Sequence, residues 1–245
     1  QVAGAGWQTL VQLGASAILA RLLMPADYGM VGLAMLVQNF VRRLACLGSG
    51  AGVIAKRDVT QTDLSTSFWL ALGIQTGMFA IAFAAAPLAE MFFAAPGLTW
   101  VLRAMSFTFV LNGLSNVSGT LLTKELRFGA IKVIESVSIV LQSIAAILLA
   151  WLLGWGYWAL VSGLLFSTAV GAAAKLVLAR WRPSLTFSRE SFRYMFRFGA
   201  NEFGSSVVSY FHANLDYVVV GKMLGQSVLG LYEFAFRIPH LLRDR

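Results

Sequence analysis

The chain has 245 residues, of which 58% are hydrophobic and only 12% are charged. A soluble domain carries about 25% charged residues, so this composition excludes a soluble enzyme and a disordered chain. The formal net charge is +8, but the basic residues lie between apolar stretches, where they orient membrane spans and do not indicate nucleic-acid binding. We therefore expect an all-α integral membrane protein, a polytopic helical bundle, because a backbone in lipid satisfies its polar groups within helices.

The predicted spans follow from stretches with few or no charges, since about 20 apolar residues cross the hydrocarbon core as a helix. These stretches are residues 1–20, 29–54, 64–89, 104–123, 136–174 and 200–221. The stretch over 136–174 is too long for one span, and it divides at Gly154-Trp155-Gly156-Tyr157, which predicts a tight turn with interfacial aromatic residues. With a further span that begins near Val228, we expect seven helices and part of an eighth.

The distribution of Lys and Arg between alternating loops predicts the orientation of the spans. Eleven of these residues fall in the loops on one side, and three fall in the loops on the other. Cytoplasmic loops are the richer in Lys and Arg, so we expect the richer side to be cytoplasmic, together with the N-terminus.

The longest predicted loop lies on the basic side, and it carries Arg189, Arg193 and Arg197 at intervals of four residues. The apolar residues between these arginines fall on another helical face. One interpretation is an amphipathic helix in the headgroup layer, where anionic lipid attracts the arginines. The alternative is a solvated connector whose charges only set the orientation of the spans.

An internal repeat appears at an offset of 201 residues. Each copy is an apolar helix that ends in a cation, Arg21 or Lys222, and is followed eight residues later by a glycine, Gly29 or Gly230. A repeat unit of six helices returns the chain to its starting side, so the copies are predicted to be parallel repeats about an axis along the membrane normal.

The repeat predicts three parts of the chain. We expect a six-helix N-terminal lobe over residues 1–179, a cytoplasmic amphipathic linker over 180–199, and the start of a second lobe over 200–245. A second unit of the same size implies an intact protein with at least twelve helices.

Ionisable residues within spans are costly and are candidates for a functional cavity. Arg42 and Arg43 lie in the middle of the second predicted span. Adjacent helical residues point about 100° apart, so one is expected to face a cavity and the other a neighbouring helix. Guanidinium groups bind phosphate in a bidentate manner, which suggests a phosphate-bearing substrate. The alternatives are an ion pair with Glu135 or Glu202, or side chains that extend to the membrane surface.

The seventh and eighth predicted spans carry the other candidates. Glu202 and Asp216 are 14 residues apart and share a helical face, so they suit either a proton or cation relay or a gating ion pair with the arginines. A placement of Glu202 at the membrane interface without such a role is the third alternative. Arg237 is a further cavity candidate, and it also lies four residues after Glu233, with which it can pair. No nucleophile is placed beside a base, and no His/Cys cluster suits a metal, so we expect no enzyme, cofactor or metal.

Several short motifs resemble bacterial polysaccharide flippases, the Wzx-type members of the MOP exporter superfamily, and among these the colanic-acid-exporter branch. The motifs are ARLLMPADYG at 20–29, LRF at 126–128, LDY at 215–217, GKMLG at 221–225, and LG-x-Y at 229–232, followed by Arg237 and Pro239. The resemblance implies two six-helix lobes around a central cavity in the bacterial inner membrane. It also implies export of an undecaprenyl-diphosphate-linked oligosaccharide by alternating access, while the acidic residues permit coupling to H⁺ or Na⁺.

Two related readings stay open at this point. A MATE-type cation-coupled multidrug antiporter shares the superfamily architecture, although it favours acidic groups in the first lobe, and residues 1–20 contain none. A lipid II flippase is a close relative with the same expected fold.

Overall fold

A computed structural model describes the backbone of residues 2–44 and 50–232. It also describes the side chains in these ranges, except those of residues 2–11, 44, 51, 198–211 and 213. Eight helices are bounded there: α1 (Val2–Leu22), α2 (Pro25–Leu44), α3 (Ala51–Ala55), α4 (Gln61–Phe93), α5 (Leu98–Lys124), α6 (Phe128–Leu153), α7 (Tyr157–Ala179) and α8 (Arg189–Met223). Residues 225–232 are also helical. No strand occurs in the described residues, which confirms the all-α fold class.

Three helices are long and apolar enough to cross a membrane by themselves, namely α4, α6 and α7. Their outward faces carry large apolar side chains that water would not tolerate in such numbers; Leu88 is 67% exposed, Trp151 68% and Val177 70%. The turn predicted between α6 and α7 is present, because Gly154 ends α6 in the left-handed conformation at φ 60°. The protein is therefore a polytopic helical membrane protein.

Two parts of the chain show helix boundaries that the charge pattern does not indicate. Over the span predicted at 29–54, the described part of α2 reaches Leu44, and α3 begins at Ala51 after the turn residue Gly50. Farther along, α8 runs without a break from Arg189 to Met223, so one helix includes the second half of the expected linker and the expected seventh span. The charge pattern marks where a helix is amphipathic and where it is apolar, but it does not mark a break between the two parts.

The helices pack as a bundle in which α5 contacts both α4 and α7, α6 contacts α7 and α1, and α2 contacts α8. The largest apolar cluster draws on most of these helices; its fully buried members are Leu33, Ala34, Leu98, Val101, Met105, Val161 and Leu229. Polar contacts also cross this core, where the amide nitrogen of Gln38 on α2 donates to the Met105 carbonyl at 2.9 Å and to the Thr108 hydroxyl. A buried amide must be paired in this way, so it fixes the register of α2 against α5.

The loops gather at two ends of the bundle. At the end rich in Lys and Arg, called the basic end, Lys124 donates to the Val53 carbonyl at 3.0 Å, and Arg127 donates to the Leu178 carbonyl at 3.2 Å. At the other end, called the opposite end, Asp27 accepts a hydrogen bond from the Tyr157 backbone at 3.1 Å. The structure thus brings together the loops that the sequence assigned to the same side of the membrane.

Candidate functional site

A cavity of about 490 Å³ lies at the basic end, between α2, α4, α5, α6 and α7. Two cationic side chains line it: Arg42, from the last turn of α2, and Lys175, near the end of α7. Most of the other lining residues carry amides or hydroxyls; they are Gln75, Asn112, Ser115, Asn116, Thr120 and Thr123. We call this space the cationic cavity.

The polar space continues along the bundle toward the opposite end. A second cavity of about 330 Å³ shares Asn112, Ser115 and Lys175 with the cationic cavity. A third, of about 180 Å³, shares Gln142 with the second and reaches Ser16 of α1. The three cavities adjoin one another through shared lining residues, and the cationic side chains among them, Arg42 and Lys175, line the cavities nearer the basic end.

Close helix packing shapes the cationic cavity. Gly119 of α5 faces α7, and a Cβ built on it would lie 3.7 Å from Cδ of Lys175, so the lysine stem lies against the glycine. On the neighbouring side, a Cβ on Gly113 would come within 3.0 Å of Cβ of Gln75. Small residues on α5 therefore let the long polar side chains of α4 and α7 reach the cavity wall.

Two acceptors in this wall are buried without a hydrogen-bond partner among the described residues. They are Oδ1 of Asn116 and Oε1 of Gln75. A buried amide oxygen without a partner costs about 1–3 kcal/mol. Both oxygens are closed to solvent, so each amide would have to rotate before its oxygen could accept from a molecule in the cavity. The cavity combines cationic donors with neutral acceptors, an arrangement that suits a ligand with both anionic groups and hydroxyls.

The two predicted arginines lie in the last turn of the described part of α2, near the basic end. Arg42 lines the cationic cavity, Arg43 does not, and both residues are exposed. Glu135, one expected partner of the arginines, pairs with Lys132 at 2.7 Å. Its carboxylate also lines the second cavity.

The acidic candidates are placed as follows. Glu202 lies on α8, but its side chain is outside the described residues. Asp216 is exposed and accepts a hydrogen bond from the Tyr232 hydroxyl at 2.8 Å. Of the described side chains, none forms an ion pair with Asp216. Arg237 and Glu233 lie outside the described residues, so their predicted roles stay predictions.

Sequence reasoning missed Lys175 as a site residue. It stands directly after a charge-free stretch, where it contributes to the count of orienting charges. The amides Gln75, Asn112 and Asn116 were missed as well. Each of these amides is a polar residue within an apolar span. Such a position indicates that the side chain faces away from lipid, but it does not indicate which other residues the side chain contacts.

A second ionic cluster lies beside the cationic cavity at the basic end. Asp63, in the first turn of α4, pairs with Lys56 at 2.7 Å, and its side chain is only 3% exposed. Burial of this carboxyl opposes its ionisation, but hydrogen bonds from Lys56, Ser191 and Thr60 outweigh burial and hold the pKa of Asp63 well below its usual range. This carboxylate joins helices and does not line the cationic cavity.

The fold and the cavity together define a polytopic helical membrane protein with a polar, cationic interior. The chain belongs to the family described as polysaccharide biosynthesis protein, whose sequence profile matches residues 18–244. This result confirms the family that the short motifs indicated.

Three curated relatives are similar to the chain over almost its whole length. The succinoglycan biosynthesis transport protein ExoT of Rhizobium meliloti is 29% identical over 96% of the chain and 49% of its own length. The teichuronic acid biosynthesis protein TuaB of Bacillus subtilis is 26% identical over 94% of the chain and 48% of its own length. The lipopolysaccharide biosynthesis protein WzxC of Escherichia coli is 24% identical over 97% and 50%. The chain thus spans about half the length of these relatives, and no solved structure matches it.

Proposed function

We propose that the protein exports an undecaprenyl-diphosphate-linked oligosaccharide, an exopolysaccharide or O-antigen repeat unit, across the bacterial inner membrane. Membership of the polysaccharide biosynthesis protein family supports the class of substrate. The name of one relative specifies transport of succinoglycan, and the names of two others refer to teichuronic acid and lipopolysaccharide. We further propose that the substrate crosses by alternating access, with the N-terminus cytoplasmic.

The observation that carries the proposal is that two cationic side chains, Arg42 and Lys175, line the same polar cavity. A diphosphate carries negative charge that a guanidinium can bind in a bidentate manner and an ammonium can bind as a point charge. Sugar hydroxyls both donate and accept hydrogen bonds, and the amide residues Gln75, Asn112 and Asn116 line the same cavity. We assign the diphosphate to the cations and the first sugars to the amides.

The membrane-embedded lipid tail has a suitable surface nearby. The outward faces of α4, α6 and α7 are apolar, so the prenyl chain can stay in the bilayer while the polar head enters the bundle. The carboxylates Glu202 and Asp216 on α8 are the groups we assign to coupling with H⁺ or Na⁺, and Arg237 is a further candidate for the cavity. No enzymatic step is needed for this function, because the substrate is moved and not altered.

Expression in bacterial strains that lack their own flippase tests the proposal, with surface polysaccharide as the readout. Strains that make different repeat units are compared, because the lining of the cavity does not identify one sugar. We expect the wild-type protein to restore export in at least one strain, and Arg42→Ala to reduce that export at equal membrane abundance. Arg57→Ala is the matched control, since Arg57 is an exposed cation in the loop between α3 and α4. Failure of the wild-type protein in every strain, despite normal insertion, would contradict the proposed function.

A further inference from the structure

Gly29 and Gly230 make a reciprocal contact at the opposite end of the bundle. A Cβ built on Gly29 would overlap the backbone carbonyl oxygen of Gln226, and a Cβ built on Gly230 would overlap the carbonyl oxygen of Pro25. The two glycines are 201 residues apart in sequence, and so are Pro25 and Gln226. Gly29 thus contacts Gln226, and Gly230 contacts Pro25, the residue 201 positions before Gln226. The two contacts are therefore equivalent under the sequence repeat.

Such reciprocity is the property of a contact on a two-fold axis, where the same surface meets itself. It arises here within one chain, between the start of α2 and the helix that follows α8. The same spot brings the two glycines themselves together, since a Cβ on Gly230 would lie 3.0 Å from the backbone nitrogen of Gly29. The sequence repeat and the spatial contact are independent observations, and they give the same offset.

The contact requires glycine on both sides. The atoms that a Cβ would meet belong to the backbone of the neighbouring helix, which cannot turn aside as a side chain can. Glycine in a helix costs about 1 kcal/mol relative to alanine, a cost that close helix approach offsets. Both glycines are buried, and the apolar residues beside them, Leu33 and Leu229, are fully buried as well.

We propose that Gly29 and Gly230 form an interface between the two sequence repeats, a glycine dock that lies on their internal two-fold axis and keeps the opposite end of the bundle closed. Its partner surface is the equivalent hairpin of the same chain, so the dock is self-complementary. A nearby hydrogen bond supports closure at this end: Lys222 of α8 donates to the Phe92 carbonyl at the end of α4. For the proposed export, this dock separates the cationic cavity from the far side of the membrane.

Thiol labelling of the purified protein in detergent tests the dock without any substrate, so its outcome is independent of the export assay. Cys46 is first replaced by serine, and Leu33→Cys then serves as a buried reporter beside the dock. We expect Gly29→Ala and Gly230→Ala each to accelerate maleimide labelling of this cysteine at least fivefold. Gly77→Ala is the matched control, because a Cβ on Gly77 meets nothing within 4 Å.

Two further measurements separate an opened dock from a damaged fold. Val117→Cys is a fully buried reporter near the basic end, and its labelling should stay slow in all three glycine variants. The double variant Gly29→Ala/Gly230→Ala should label Leu33→Cys no faster than the faster single variant, because either overlap separates the same two helices.

Three results would overturn the proposal. If Leu33→Cys were labelled as slowly in Gly29→Ala and Gly230→Ala as in Gly77→Ala, the two glycines would not be needed to keep this end closed. A response to only one of the two glycines would contradict the reciprocal contact. Equal acceleration at Val117→Cys would mean that the glycines support the whole fold and not a local closure.

Discussion

Ser191, in the first turn of α8, donates a hydrogen bond from Oγ to Oδ1 of Asp63 across 2.5 Å. Asp63 uses its other oxygen, Oδ2, to accept from Lys56 and from the backbone of Thr60, at 2.7 and 2.9 Å. A single buried carboxylate thus joins the start of α8 to the start of α4 and to the loop after α3. The start of α8 is attached to the neighbouring helices at this point.

Replacement of Asp63 by asparagine should therefore destabilise the protein. The amide keeps the size of the side chain but removes the charge that Lys56, Thr60 and Ser191 hydrogen-bond, and a hydrogen bond to a charged group contributes about 1.5–3 kcal/mol. We expect a clearly lower melting temperature in detergent for Asp63→Asn. The matched control is Glu135→Gln, which removes an exposed ion pair with Lys132 and should change little.

The stabilisation by Asp63 should also depend on pH. Because its folded-state pKa is lowered below the unfolded value of about 3.9, the contribution is complete above that value. It is lost as the pH falls below about 4 toward the lower folded-state pKa. The difference in melting temperature between wild type and Asp63→Asn should be constant from pH 6 to 8 and shrink in acid. A difference that grows in acid would contradict the assigned ionisation.

The positions of the helices were largely predictable from the sequence, because charge-free stretches and the Gly154 turn are local signals. The convergence of side chains was not. Arg42 was identified because a charged side chain within a span is energetically costly. Lys175 was not identified, because a lysine directly after a span is expected simply as one of the charges that orient the span. Lys175 enters the cavity because α5 presents Gly119 to its stem, and a contact between residues far apart in sequence has no local signature.

The glycine repeat shows the opposite case. The spacing of Gly29 and Gly230 was visible in the sequence, but only the structure shows that the helices carrying these two glycines approach each other there. The continuity of α8 could not be predicted either, because an amphipathic segment and an apolar segment each satisfy helical periodicity. A helix continues where both its amphipathic segment and its apolar segment pack against other helices. The amphipathic segment of α8 does so through Met195, which packs beside Val53 and Phe68.

Asp27 should stabilise the opposite end of the bundle. Its Oδ1 accepts from the backbone nitrogen of Tyr157 at the start of α7, and its Oδ2 accepts from that of Met24 at 2.9 Å. Loss of a side chain that satisfies free backbone donors at a helix start costs about 0.5–2 kcal/mol. We expect Asp27→Ala to lower the melting temperature in detergent, whereas Asp58→Ala, in an exposed loop position, should not. Equal effects of the two substitutions would contradict the assigned role.

Lys175 should be as important for export as Arg42, although it was not evident from the sequence. A lost charge-assisted contact to phosphate costs about 1.5–3 kcal/mol, so Lys175→Gln should lower export at limiting substrate by about tenfold or more. Lys175→Arg keeps the charge and should retain much of the activity. Lys132→Gln is the control, since Lys132 is exposed and pairs with Glu135. Full export by Lys175→Gln would remove this residue from the site.

The orientation of the bundle can be measured with single cysteines at its two ends, after replacement of Cys46 by serine. Leu185, in the loop before α8 at the basic end, is 92% exposed, and Met24, between α1 and α2 at the opposite end, is 73% exposed. The excess of Lys and Arg at the basic end predicts that this end faces the cytoplasm. An impermeant maleimide added to intact cells should therefore label Met24→Cys, and it should label Leu185→Cys only after permeabilisation. The reverse pattern would place the cationic cavity at the outer surface and would contradict loading of the substrate from the cytoplasm.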